Sequence, residues 1–226
     1  MKKIVAYGCG SLLAVATGAY ILYQTASKIK FQNVKVLDKI SLIFLLKQIR
    51  ADYSQKFLIV LRHNRKKRRA MPKGSYEYRN LINELKEQAK EYIQKSIEEV
   101  LAKNGIAEET LAESYKHYED DFEIKSALTK LCSVECTMNS PLISMGLEQI
   151  LELYISKAEE LNENDPNELN IQMKILEDDI YDEFCCEPEE IEAAVNKNPE
   201  RIEHLKNIIN NLNQRLLEKT NQELFF

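Results

Sequence analysis

The sequence predicts an all-α protein in which one N-terminal transmembrane helix precedes a multi-helix soluble bundle. Glycine and proline are scarce, at six and five of 226 residues. Helix-favouring Glu, Lys, Leu and Gln recur throughout the chain. The stretch from Ile4 to Tyr23 holds no charged residue. A helix of that length spans roughly 30 Å, the hydrocarbon thickness of a bilayer.

The residues around this apolar segment predict its orientation. Lys2 and Lys3 precede it and a larger number of basic residues follows it, so the positive-inside rule places the body on the cytosolic or matrix side of a membrane. We expect a single-pass protein, with a mitochondrial membrane favoured. A cleaved secretory signal is the alternative, with Ala14-Val15-Ala16 before its cleavage site. Apolar residues continue past that site to Leu22, which favours the anchor.

Small residues recur every fourth position along the predicted transmembrane helix. They are Ala6, Gly10, Ala14 and Gly18. Small residues at this spacing let two membrane helices approach closely, and lipid offers no hydrophobic force to replace such packing. The pattern predicts a docking face for another transmembrane helix, although alanine and glycine are also common in membrane helices generally.

Charge divides the rest of the chain into a basic and an acidic part. Residues 24–74 hold fourteen Lys or Arg and two acids, whereas residues 75–226 hold fifteen Lys or Arg and thirty-four acids. This division predicts three regions. They are an anchor with its flanks at 1–30, a basic amphipathic helix and linker at 31–74, and an acidic helical domain at 75–226.

The basic region ends in a dense cationic run, for which three interpretations are open. The run could be a solvated helix end, a contact for anionic lipid or an acidic partner, or a nucleic-acid site. The anchor and the acidic remainder argue against nucleic acid. The residues of the predicted contact with lipid or an acidic partner are Arg62, Arg65, Lys66, Lys67, Arg68 and Arg69.

Apolar periodicity and helix-start signals predict the helices of the body. The first is either part of the core or lies along the membrane surface, because its charges exclude a second span. Pro188 and Pro199 begin two final helices, the last reaching about Lys219. The predicted helices before them are Val36 to Arg69, Tyr78 to Lys103, Glu108 to Tyr118, Phe122 to Cys136, Leu142 to Leu161 and Glu168 to Phe184.

Two stretches resemble each other at an offset of eighty residues. Residues 100–115 and 180–195 each read as the end of a long helix, a tight turn and a short helix that begins with acids. The resemblance suggests two related helical hairpins, at about 75–138 and 141–226, each needing a neighbour to bury its apolar face. Chance similarity between Glu-rich helices is the alternative.

Residue types that carry chemistry are sparse in this sequence. His63, His117 and His204 are scattered, and we expect them on the surface. A four-thiolate zinc site from Cys132, Cys136, Cys185 and Cys186 is disfavoured by its spacing. The acidic clusters 119–121 and 177–183 do not follow a calcium-loop pattern and predict a solvated acidic face. We therefore expect no cofactor, no metal and no enzymatic activity.

These patterns predict an accessory or scaffold subunit of a membrane complex. Its expected partners are other membrane-protein subunits, with anionic lipid as a further contact and no nucleic acid. The alternative is an organelle-surface receptor or adaptor, in which the anchor is only a tether and the helical body binds a soluble partner.

Overall fold

The computed structural model describes residues 36–131, 134, 141–161, 165–198, 200, 202–205, 207–209 and 211–212. Every regular element within these residues is an α-helix, which confirms the predicted all-α class. The helices are α1 (Lys39–Arg69), α2 (Tyr76–Asn104), α3 (Glu108–His117), α4 (Phe122–Thr129), α5 (Pro141–Glu159), α6 (Pro166–Phe184) and α7 (Pro188–Lys197). Helical residues recur between 203 and 212, where the sequence predicts a final helix.

The predicted transmembrane segment, Ile4 to Tyr23, lies outside the described residues. Among the helices that are described, none combines the length and the apolarity needed to cross a bilayer. The anchor and its small-residue face therefore stay predictions.

Capping residues determine where several helices begin. Asp38 accepts hydrogen bonds from the Ser41 backbone N–H at 3.0 Å and the Ser41 hydroxyl at 2.7 Å, so α1 begins at Lys39 rather than Val36. Asp121 accepts the backbone N–H of Ile124 at 3.2 Å and opens α4. Asp165 precedes Pro166, a first-turn proline, at the start of α6.

The described helices form two compact units, each with its own core. The N-terminal unit contains residues 36–62 and 84–134, and the C-terminal unit contains residues 63–83 and 141–212. The chain therefore changes unit within α1, within α2 and again after residue 134. The predicted limits at residues 30 and 74 stay predictions.

The core of the N-terminal unit is built on the inner face of α1. Its buried side chains recur every three or four residues, which is the period of one helix face. They pack against apolar residues of α2, α3 and α4. The buried residues of this core are Leu42, Leu45, Leu46, Ile49, Tyr53, Phe57, Leu61, Leu85, Ile93, Ile97, Val100, Leu101, Leu111, Ile124, Leu128 and Leu131.

The core of the C-terminal unit lies among α5, α6, α7 and the helical residues after 202. Leu147, Tyr154 and Leu169 are among its buried members. A smaller cluster of Tyr78, Ile82 and Ile171 joins the first turns of α2 to α6.

The two stretches offset by eighty residues adopt the same local backbone. Asn104 ends α2 and Phe184 ends α6, and the next residue is left-handed in both, with φ +63° at Gly105 and φ 54° at Cys185. The ten-residue helices α3 and α7 follow at the same offset. Glycine suits this conformation, whereas cysteine adopts it rarely. The turns are alike, and the duplicated hairpin itself stays a prediction.

Candidate functional site

Residues 65–69, at the basic end of α1, turn their arginines inward and their lysines outward. Arg65 and Arg68 are buried, at 2% and 0% exposure, and Arg69 is half-buried. Lys66 and Lys67 are exposed. Positions three or four apart share a helix face, so the three arginines continue the inner face of α1.

Carboxylates of α6 and α7 meet these arginines inside the C-terminal unit. Glu177 and Asp178 project from α6, whereas Glu187 and Glu189 lie at the turn into α7 and its first turn. We call the set the arginine–carboxylate cluster. Its members are Arg65, Arg68, Arg69, Glu177, Asp178, Glu187 and Glu189.

Asp178 is the centre of the cluster and is completely buried. Arg68 binds it with two parallel hydrogen bonds, Nε to Oδ2 at 2.7 Å and Nη2 to Oδ1 at 2.8 Å. Tyr78 donates its hydroxyl to Oδ2 at 2.7 Å, and Arg69 donates Nε to Oδ1 at 3.0 Å. Bidentate arginine–carboxylate pairs are among the strongest and most directional hydrogen bonds in proteins.

Glu187 and Glu189 hold the other guanidinium groups. Arg69 forms a second bidentate pair with Glu187, at 2.7 and 2.8 Å, and its guanidinium carbon lies 3.5 Å from the centre of the Tyr181 ring. Arg65 Nη1 contacts Glu189 at 2.6 Å and Glu187 at 3.1 Å. Arginine can combine ion pairing and aromatic stacking in this way because its guanidinium is planar.

Glu177 completes the charge balance of the cluster. Its Oε1 accepts a hydrogen bond of 2.6 Å from Lys174, and its Oε2 lies 3.7 Å from Arg68 Nη2. With Lys174 included, four cationic side chains face four carboxylates. A buried charge is tolerated only when it is paired in this way, because its removal from water costs several kcal/mol.

The surroundings of Asp178 and Glu187 favour their charged forms. Burial, the largest single influence, raises the pKa of each carboxyl, but the hydrogen bonds from Arg68 to Asp178 and from Arg69 to Glu187 together with the nearby guanidinium charges outweigh it, and both pKa values are lowered. Burial raises the pKa of the Tyr78 hydroxyl, so that it stays a proton donor to Asp178. Asp178 and Glu187 are therefore ionised at neutral pH.

Partly exposed ion pairs also link helices of the C-terminal unit. Lys73 contacts Asp179 and Asp182 at 2.6 Å each, and Lys157 contacts Asp179 at 2.6 Å. Arg79 forms a bidentate pair with Glu168 at the first turn of α6. Partly exposed pairs of this kind each contribute little to stability, at about 0–1 kcal/mol.

The arrangement is suited to holding helices together. Each cluster carboxylate faces at least one cationic group, and a carboxylate engaged with a guanidinium is a weak proton acceptor. Arg65 Nε and Arg68 Nη1 are buried without a hydrogen-bond partner among the described residues, which reduces the net contribution of the cluster to stability. Its geometry nevertheless fixes the end of α1 against α6 and α7.

The predicted contact residues for lipid or an acidic partner divide into two groups. Arg65, Arg68 and Arg69 bind carboxylates of their own chain. Arg62, Lys66 and Lys67 are exposed, and for them an external contact stays a prediction.

The predicted solvated acidic face is wrong at Glu177 and Asp178, which are 2% and 0% exposed. The arginines of α1 neutralise these two carboxylates, so their burial costs less than an unpaired charge would. Asp182 and Glu183 are exposed, as predicted.

The other residues with potential chemistry lie apart from the cluster. His63, His117 and His204 are exposed, as predicted. Cys132 and Cys136 lie outside the described residues, so the four-thiolate site stays untested. Cys186 is buried, and burial, followed by the charge of Glu190, raises its pKa to about 11, which disfavours the thiolate. Among the described residues no group of three or more metal-ligating side chains is assembled.

A signal for the inward arginines is present in the sequence. The buried positions Tyr53, Phe57, Leu61 and Asn64 continue with the same spacing to Arg68. Within residues 65–69 lysine occupies the two positions that face outward, and arginine is preferred for buried ion pairs. The separation of arginine from lysine by helix face therefore indicates an internal partner.

We expect acid to weaken the C-terminal unit through Asp178 and Glu187. Their pKa values in the folded chain lie below the ordinary 3.8 and 4.5, so the unfolded chain binds protons more readily than the folded chain does. The stabilisation is complete above those ordinary values and is lost as pH falls through the lowered ones. The thermal midpoint followed by circular dichroism should hold steady from pH 7 to about pH 5 and fall steeply below about pH 4. A midpoint that rises on acidification would contradict this assignment.

Comparison of the chain with protein-family models, with curated proteins and with solved structures finds no match. The class of the protein therefore rests on the described residues alone. They form an all-helical protein with a buried arginine–carboxylate cluster.

Proposed function

We propose that this chain is a non-enzymatic single-pass membrane protein that serves as an accessory or scaffold subunit of a membrane complex, with a mitochondrial membrane as the favoured site. The observation that carries the proposal is the row of small residues in the uncharged N-terminal segment, Ala6, Gly10, Ala14 and Gly18. Small residues at this spacing act in membranes by letting a second helix pack closely.

The geometry of the body supports a scaffolding role. Two units with separate apolar cores supply folded surfaces in the chain after the predicted anchor. The cluster around Asp178 fixes the α1 end against α6 and α7 through directional bonds. A scaffold needs such defined geometry, because a partner subunit recognises a surface only when its helices keep their positions.

The second candidate is a receptor or adaptor whose anchor is only a tether. Exposed aromatic side chains favour it, since Phe122 at the start of α4 is 83% exposed and Tyr76 at the start of α2 is 74% exposed. Aromatic residues are enriched at protein interfaces. Replacing residues 4–23 with an unrelated transmembrane span should preserve function under this candidate and abolish it under the first.

The test of the proposal is assembly of the full chain in mild detergent. The double variant Gly10→Leu with Gly18→Leu should dissociate the chain from its complex, because leucine keeps a partner helix at a distance. The matched control, Gly8→Leu with Ala19→Leu, adds similar volume on the opposite face of the predicted helix and should leave assembly intact. Native sizing with mass spectrometry of co-purifying proteins provides the measurement. A wild-type chain that is only ever a monomer, or equal behaviour of the two double variants, would refute the proposal.

A further inference from the structure

The outer face of α1 in the N-terminal unit carries large apolar side chains that are exposed to solvent. Ile40, Phe44 and Ile59 are 81%, 60% and 73% exposed. They belong to a row of exposed positions three or four residues apart, which share one helix face. We call this row the outer stripe. Its members are Ile40, Phe44, Lys47, Ala51, Gln55, Ile59 and Arg62.

The outer stripe contains no acidic residue, although the chain has more acids than bases. The acid at its edge, Asp52, binds Lys56 at 2.7 Å. The exposed positions of α2 in the same unit have the opposite character and include Glu84, Glu87 and Glu91. The outer stripe of α1 is thus apolar and cationic, whereas the exposed positions of α2 in the same unit include these acids.

The combination of apolar and cationic side chains is typical of a helix that lies in a membrane interface. Such a helix buries its apolar residues at the boundary of headgroups and acyl chains, while lysine and arginine contact anionic headgroups. At 1.5 Å per residue the stripe is about 33 Å long, enough to lie across several lipid headgroups.

Chain connectivity brings the stripe close to the membrane in which the anchor is predicted. Tyr23, the last residue of the uncharged segment, is seventeen residues before Ile40. A connection of that length spans at most about 58 Å when fully extended and much less when it is compact. The first turns of α1 therefore remain within reach of the bilayer surface.

We propose that the outer stripe of α1 rests on an anionic lipid surface, with Ile40, Phe44 and Ile59 inserted at the interface and Lys47 against headgroup phosphates. The inference deepens the proposed function and rests on its predicted anchor. It places the membrane contact on the outer face of α1, whereas Arg65, Arg68 and Arg69 bind carboxylates on the inner face. An acidic surface of a partner protein is the competing occupant.

The absence of tryptophan from the sequence makes a direct test available. Phe44→Trp and Ile59→Trp each introduce a unique probe into the full chain. The variants are reconstituted singly into lipid nanodiscs that contain phosphatidylglycerol and phosphatidylcholine brominated in the acyl chain. Gln88→Trp, at an exposed position of α2, is the matched control. We expect several-fold stronger bromine quenching and a blue-shifted emission at positions 44 and 59 relative to position 88.

The possible outcomes distinguish lipid from a partner protein as the occupant of the stripe. They also distinguish failure of the lipid contact from failure of the proposed function. Quenching at positions 44 and 59 that is no stronger than at position 88 overturns the lipid contact. A blue shift without bromine quenching also overturns it and indicates a protein occupant. The detergent assembly experiment tests the proposed function by itself, so the lipid contact and the proposed function can fail separately.

Charge reversal tests the electrostatic part of the inference. The variant Lys47→Glu with Gln55→Glu, made in the Ile59→Trp background, should lose most of the quenching in phosphatidylglycerol discs and less of it in discs of phosphatidylcholine alone. Gln88→Glu with Lys95→Glu, which adds the same charge to α2, should leave the quenching at position 59 unchanged. Equal quenching in both double variants would overturn the role of charge.

Discussion

Replacing Asp178 by asparagine is expected to lower the free energy of unfolding of the C-terminal unit by about 3–5 kcal/mol, the range for breaking one partner of a buried ion pair. Asparagine keeps the shape of the side chain and can still accept the Tyr78 hydroxyl. It leaves the guanidinium of Arg68 buried and without its bidentate carboxylate. Arg69 also loses a charged acceptor.

Hydrogen exchange followed by mass spectrometry measures this effect within the full chain in detergent, because peptides of α6 report on the C-terminal unit alone. The control is Asp120→Asn in the exposed pair with Lys125, whose atoms lie 3.1 Å apart. It should change stability by less than about 0.5 kcal/mol. Equal protection of α6 in Asp178→Asn and the parent would contradict the cluster.

A double variant distinguishes pairing from general damage to the unit. Arg68→Met with Asp178→Leu removes both charges and replaces them with apolar groups. It should be far less destabilised than the sum of the two single variants, since apolar replacements of buried ion pairs are often neutral or stabilising. Additive losses would show that Arg68 and Asp178 act independently.

The second large effect is expected at a buried isoleucine, Ile97, and not at an exposed one, Ile59. Ile97→Ala should destabilise the N-terminal unit by about 2–5 kcal/mol, because it leaves a cavity in the core. Ile97 is 1% exposed, whereas Ile59 is 73% exposed. Ile59→Ala should change stability by less than about 0.5 kcal/mol. The contrast identifies Ile59 as a surface residue available for binding.

The same hydrogen-exchange experiment provides the measurement, with peptides of α2 as reporters. Ile97→Val is an intermediate control with an expected loss of about 0.5–1.5 kcal/mol. A loss for Ile59→Ala as large as that for Ile97→Ala would mean that Ile59 belongs to a core. Such a result would also remove the basis for the outer stripe.

Local sequence signals predicted most of the helical framework. Apolar periodicity located α1 and α2, and Pro188 begins a helix as predicted. The errors are at the ends. α1 begins three residues later than predicted because Asp38 caps it, and α4 ends at Thr129 rather than near Cys136. Caps and turns depend on a few neighbouring residues. Apolar periodicity therefore does not show which of several possible caps begins or ends a helix.

The partners of the charged residues could not be predicted in the same way. Arg68 and Asp178 are 110 positions apart, and helix periodicity shows which face a residue occupies without showing what covers that face. A cluster of acids is most often solvated, which led to the wrong prediction at Glu177 and Asp178. The separation of arginine from lysine within residues 65–69 was the available signal.

The inward arginines change how the basic run bears on function. A run of six cationic residues suggests one strong contact with lipid or an acidic partner. Three of them, Arg65, Arg68 and Arg69, are engaged by carboxylates of the same chain. The proposed lipid contact is accordingly assigned to the outer stripe, and the proposed assembly contact to the small residues of the anchor.

Carbodiimide cross-linking of the full chain in membranes tests the central claim that the basic end of α1 lies against the acidic segment of its own chain. The reagent joins a lysine amine to a carboxylate that touches it. Lys73, just beyond α1, lies 2.6 Å from both Asp179 and Asp182. Mass spectrometry of a mixture of isotope-labelled and unlabelled chains should find Lys73 joined to Asp179 or Asp182 within one chain. Links from Lys73 only to other molecules, or none to these aspartates, would contradict the account.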